Sequence, residues 1–200
     1  MDKITIANLA LSQIGEQTIQ SIDQENNKNA EIIRLIFNPI LEQVLRNHNW
    51  SCATYRRQLA RTTANPPFGF AYSYQLPADP KCLKVLYLND VHAQFKVEGK
   101  ELLTDRESSG IVYIGQVDDM NQLDALCVRV FYLSLAMEMS YRQMGTGNLV
   151  QQTMVLLQNA WEEARFTDAS ENTPMYIDES DLIKARYVGH RFLENQTTMR

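Results

Sequence analysis

The chain has 200 residues, enough for one domain with an elaborated segment. At 44% hydrophobic and 22% charged it has the composition of a soluble globular protein with a substantial core. The formal net charge of −5 argues against a general nucleic-acid binder, which needs a basic excess or a strong basic patch. An acidic wall past which DNA must slide is a different case, because it repels phosphate.

The N-terminus, MDKITIANLALSQIG, has too short an apolar run for a signal peptide and lacks a small-residue cleavage site. No run approaches the length of a membrane-spanning helix. Residues 3–14 carry helical apolar spacing at Ile4, Ala7, Leu11 and Ile14, and Gly15 follows as a stop. A polar loop, 16–27, leads to a second helix over 28–47. Its apolar face is Ile33, Ile36, Phe37, Ile40, Leu41, Val44 and Leu45. Pro39 interrupts it and predicts a kink near 35–38.

The middle of the chain changes character. Short strands are expected at 55–59, 72–76 and 83–88. A hairpin follows as FKV, a turn at EGK, and ELLTD, and IVYIG makes a further strand. The last third is helical again. Residues 123–144 are apolar almost all round, as in the buried centre of a bundle. After the Gly145-Thr146-Gly147 break, residues 148–167 place Leu149, Leu156, Leu157, Ala160, Trp161 and Ala164 on one stripe, so the two helices should pack antiparallel. From Asp168 periodicity is lost, apart from a short helical pattern at 180–187, and such a terminus is commonly ordered by a partner.

These elements predict a mainly α fold with an inserted small antiparallel β region: a helical bundle plus a β subdomain and an extended C-terminal arm. The expected divisions are N-terminal bundle helices at 1–49, the inserted β region at 50–120, a C-terminal helical pair at 121–168 and the arm at 169–200.

No phosphate-binding loop, nucleophile elbow or zinc-protease motif is present. Cys52, Cys82 and Cys127 are far apart and odd in number, which reads as buried free thiols in a reducing compartment. His48, His92 and His190 have no neighbouring metal-ligand partner; His48, ending a helix beside Trp50, is placed to satisfy terminal carbonyls. Asp118, Asp119 and Asp124 read as carboxylates at a helix entrance. The glycine break reads as a helix–helix turn. Arg56, Arg57 and Arg61 are a local basic group, but on a strand Arg56 and Arg57 point to opposite faces, which favours contact with a protein partner's carboxylates over DNA. Phe68, Phe70, Tyr72 and Tyr74 alternate and would share one face of an extended segment, either packed in the core or facing a neighbouring subunit.

Four stretches together resemble the tail tubular protein A family, the adaptor or gatekeeper ring of T7-like and related phages and prophages. They are NLALSQIGEQTIQSI, ILEQVLRNHNWSCATYRRQLA, PPFGFAYSYQLPADPKCLKVL with its F-G-x-A-Y-x-Y-x-L-P-x-D core, and VEGKELLTD with the later VYIG. The resemblance covers about residues 4–170, in letters over the first part and in pattern over the helical half. It implies a structural, non-enzymatic virion protein without cofactor or metal: a head-to-tail adaptor forming a dodecameric ring below the portal. The implied partners are the portal protein, the tail nozzle (tail tubular protein B type) and a tail fibre or spike. DNA would pass through the lumen without specific binding, and no membrane is involved. The implied location is the virion tail, after assembly in the host cytoplasm. On this reading Arg56, Arg57, Phe70, Tyr72 and Tyr74 would meet neighbouring subunits. Tyr176, Ile177, Leu182, Ile183, Arg186, Tyr187 and Phe192 would form a portal-docking arm. The competing expectations are a small helical host-directed binding module and a tail-associated hydrolase, for which the sequence offers no preferred carboxylate pair or nucleophile.

Overall fold

The computed structural model describes residues 1–23, 27–107, 109–144 and 147–171. Met1–Asp168 packs as one compact unit. Of the expected arm at 169–200, residues 169–171 belong to a helix, 148–171, and the proposed docking residues lie outside the described residues, as do His190, Gly145 and Thr146.

Helix α1, Lys3–Gln13, starts where the Asp2 carboxylate accepts the Thr5 amide at 2.7 Å. It ends in a six-to-one and five-to-two pair of hydrogen bonds. Glu16 N–H donates to Leu11 O at 2.9 Å, and Gly15 N–H donates to Ser12 O at 3.2 Å. That closure needs a left-handed residue, and Gly15 supplies it at φ +74°. Asn8 then holds the following loop through Ile19, accepting from its amide at 2.8 Å and donating to its carbonyl at 3.0 Å. Ile19 is thereby tucked into the core.

Helix α2, Lys28–Asn47, is capped by Asn27, which accepts from Asn29 and Ala30. The helix continues through Pro39 without interruption. The missing N–H leaves the Leu35 carbonyl without its partner, and Leu35 lies on the solvent side, 71% exposed, where water can serve instead. Helix α3, Ala125–Met144, packs against both α1 and α2. Phe37 and Phe131 meet edge to face at 5.0 Å in that layer. Helix α4, Asn148–Glu171, runs antiparallel to α3, with Arg129 near the start of α3 bonded to Glu163 near the end of α4 at 2.6 Å. Its buried residues include Ala160 and Ala164, but Leu156, expected on the buried stripe, is 37% exposed.

The strands are β1 Thr54–Gln58, β2 Tyr72–Gln75, β3 Cys82–Leu88, β4 Phe95–Glu98, β5 Glu101–Thr104 and β6 Gly110–Gly115. They form two antiparallel three-stranded sheets, ordered β1-β6-β3 and β2-β5-β4. The β4–β5 hairpin turns at Gly99, whose φ is +59°.

This architecture corrects the expected fold class. The protein is not a mainly α bundle carrying a small inserted β region. It is a mixed α/β fold, 48% helix and 20% strand, with four helices among the described residues. The physical reason lies in the first sheet, which serves two cores. Leu83 and Ile114 pack with the helices, whereas Ile111, Tyr113 and Leu88 pack with Tyr74 and Leu102 of the second sheet. Central strand β6 is consequently buried at every position, as expected of a strand covered on both faces. Irregularities in the β3 register around Leu83 and Leu86 let both leucines face the helical core, although strict alternation would put them on opposite faces. At Gly115 a Cβ would come within 2.7 Å of the Tyr55 ring, so the ring keeps its place over β6 because a glycine stands there.

Candidate functional site

The residues expected to make subunit contacts do not share one surface. Arg56 and Arg57 are exposed on edge strand β1, opposite Val112 and Ile111 of β6. Cross-strand partners share a face, so Arg56 belongs to the side of Ile114 and the helices and Arg57 to the side of Tyr113 and the second sheet. Arg57 is already engaged: its guanidinium donates to the Asp79 carbonyl in the turn before β3. The two arginines nevertheless border one open depression at the end of the sheet, with Gln58, Tyr87, Asn89 and Val91 along its other margins.

The aromatic row breaks up. Strand β2 begins only at Tyr72, and Gly69 at φ +90° redirects the chain before it. Phe68 is 85% exposed and Phe70 is half-buried. Tyr72 is half-buried beneath Arg61, whose guanidinium sits 4.4 Å from the ring centroid. Tyr74 is 1% exposed, so its assignment to a subunit interface is corrected: it is a core residue. Its hydroxyl donates to the Arg106 carbonyl at 2.7 Å, and burial raises its phenol pKa, which keeps it a neutral donor. Arg106 is tied in turn to Asp90 at 2.7 Å. Tyr74→Phe should therefore cost about 1 kcal/mol of stability by removing the hydroxyl's hydrogen bond to the Arg106 carbonyl, read as a lowered denaturation midpoint with assembly unchanged. A variant that folds with wild-type stability but loses self-association would return Tyr74 to an interface.

At the end of α2 the expected role of His48 is also corrected. The carbonyl of Val44 is satisfied by the Trp50 indole N–H at 3.0 Å, not by His48. His48 Nε2 instead pairs with Asp168 Oδ2 at 2.9 Å, and the second oxygen of Asp168 accepts the Ser51 amide at 3.1 Å. Trp50 is 1% exposed, with Trp161 of α4 at 5.7 Å and His48 edge-on at 4.8 Å. Asp168 thus clasps the last part of α4 to the turn after α2, three residues before the described chain ends at Glu171.

Two of the three acidic residues are caps. Asp119 accepts from the Asn121 amide at 2.9 Å, which holds its carboxyl below the usual range, and Asp124 accepts from the Leu126 amide at 2.8 Å. Asp118 accepts from the Gln116 side chain at 3.3 Å. Among the described residues no group of three His, Cys, Asp or Glu side chains could hold a metal ion. His92 is exposed, its backbone amide bonded to Asp90. Among the described residues no helix is long and apolar enough to cross a membrane.

Sequence reasoning missed exposed apolar side chains on α4. Met154, Val155 and Phe166 are 59%, 57% and 79% exposed. Val155 and Phe166 lie eleven positions apart, about three helical turns, opposite the Ala160–Ala164 stripe. The positions between them on that face, Asn159 and Glu162, are polar, so no apolar stripe marked it in the sequence.

No family model matches this chain, and no curated protein matches it.

Proposed function

We propose that the chain is a structural subunit of a head-to-tail adaptor ring in a short-tailed phage, docking on the portal above and the tail nozzle below. The observation that carries this reading is the F-G-x-A-Y-x-Y-x-L-P-x-D stretch, residues 68–79, set among three further stretches that resemble the tail tubular protein A family. These stretches account for contiguous structure: α1 with its glycine stop, the end of α2 with Trp50 and β1, the loop through β2 to β3, and the hairpin with β6.

The surface chemistry supports an assembly role. Ring subunits make heterologous contacts, one face of a copy meeting a different face of the next. Such a subunit needs two unlike sticky regions. The β layers offer Phe68, Val91 and Val97, and α4 offers Met154, Val155 and Phe166, all exposed apolar side chains. Arg56 at the sheet edge adds a charged contact for a partner carboxylate.

Immobilised portal rings from the same phage provide the test. The full chain should bind them and saturate near one copy per portal subunit, and should ignore an unrelated ring of similar size. Equal retention on both rings, or none on the portal, would contradict the adaptor reading and leave the host-directed binding module in its place.

A further inference from the structure

Arg56 stands exposed on edge strand β1 and makes no hydrogen bond or ion pair with a described residue. Its neighbour Arg57 is committed to the Asp79 carbonyl, so Arg56 is the free cation of the two. It borders an open depression of about 430 Å³ across the end of the first sheet. The cross-strand register sets Val112 and Tyr87 beside Arg56 on that face. Val112 is 4% exposed, yet it joins neither core of the described residues. Val91, 56% exposed, stands at the rim. The depression thus combines a lone cation with an apolar floor.

Helix α4 presents the complement. Glu162 and Phe166 are four positions apart, so their side chains are neighbours on the helix surface. Phe166 is 79% exposed, the most exposed large apolar side chain on any described helix. Glu162 accepts from the Gln158 side chain at 3.3 Å and joins no ion pair with a described residue. Val155 and Asn159 continue the same face toward the start of α4.

We propose that Glu162 and Phe166 of one copy of this chain dock in the Arg56 depression of the next copy.

The inference rests on the adaptor reading and names the two unlike faces which that reading requires. Charge complementarity selects a second copy as the occupant. At a net charge of −5, copies of this chain repel one another, and a contact between them is favoured where a cation of one meets a carboxylate of the other. The Glu162 carboxylate meets the Arg56 guanidinium, which can donate parallel hydrogen bonds to both of its oxygens. The Phe166 ring covers Val112 and Val91 and takes their apolar surface out of water. Both halves belong to every copy but sit on different elements, so the contact is heterologous and can close into a ring.

The experiment loads the full chain onto immobilised portal rings of the same phage and compares sparse with saturating occupancy. Isolated copies at sparse occupancy report the portal contact, and the gain in affinity as the ring fills reports contact between copies. Arg56→Glu and Glu162→Arg should each reduce that gain at least about tenfold, because each sets like charges together. Phe166→Ser should reduce it to a similar degree. A chain carrying both Arg56→Glu and Glu162→Arg should recover to within about threefold of the wild type, which also shows that the single variants fold. Weakened portal binding by Arg56→Glu at sparse occupancy would assign the depression to the portal and overturn the proposal. Single variants that fill the ring as the wild type does, or a double variant that stays impaired, would overturn it and leave the adaptor reading in place. A wild-type chain that ignores the portal at every occupancy would overturn the adaptor reading, and this inference with it.

Discussion

Trp50→Ala will be the most destabilising single substitution at the junction of α2 and α4, costing about 3–5 kcal/mol. Three losses coincide there. The side chain is 1% exposed, so its removal leaves a large cavity. The Val44 carbonyl loses the indole donor that satisfies it at the end of α2. The rings of Trp161 and His48 lose their partner, and with them the surface against which the Asp168 clasp is built. Trp50→Phe restores most of the volume but not the hydrogen bond, and should fall between the two. Thermal melts should drop by roughly 10 °C for the alanine variant. A midpoint within experimental error of the wild type would mean that this turn does not bear on stability as described.

The second large effect concerns the C-terminal segment. A chain ending at Glu171 keeps the His48–Asp168–Ser51 clasp and the whole compact unit. It should keep the melting transition of that compact unit, yet fail to bind portal rings. The cut must fall there, because removing residues from Asp168 onward would also dismantle the clasp and confuse folding with docking. Seven residues, Tyr176, Ile177, Leu182, Ile183, Arg186, Tyr187 and Phe192, carry the expected contacts; a 1–171 chain that bound the portal as tightly as the full one would move docking elsewhere.

Much of the fold was legible from local signals. The Gly15 stop, the start of α2 at Lys28 and the β4–β5 hairpin depend on a few adjacent residues, and short-range rules reach them. The β-favouring run IVYIG marked β6 as a strand. What escaped was its placement, because a strand covered on both faces is recognised only when its layers are known. Hence the β region was taken as an appendage rather than a layer shared by two cores. The aromatic row failed for a related reason. Its period presumed extended backbone from Phe68 onward, and one glycine with positive φ was enough to send Phe68 to solvent and Tyr74 to the core. The Asp168 clasp joins positions 120 apart in sequence, and no spacing rule spans such a distance.

The adaptor reading is tested most directly by the mass of the chain in solution, measured by light scattering after size-exclusion chromatography, alone and mixed with the portal protein of the same phage. The account predicts a large complex of defined mass in the mixture, matching a dodecamer of this chain on the portal ring. A chain that elutes as a lone monomer in both runs would contradict it.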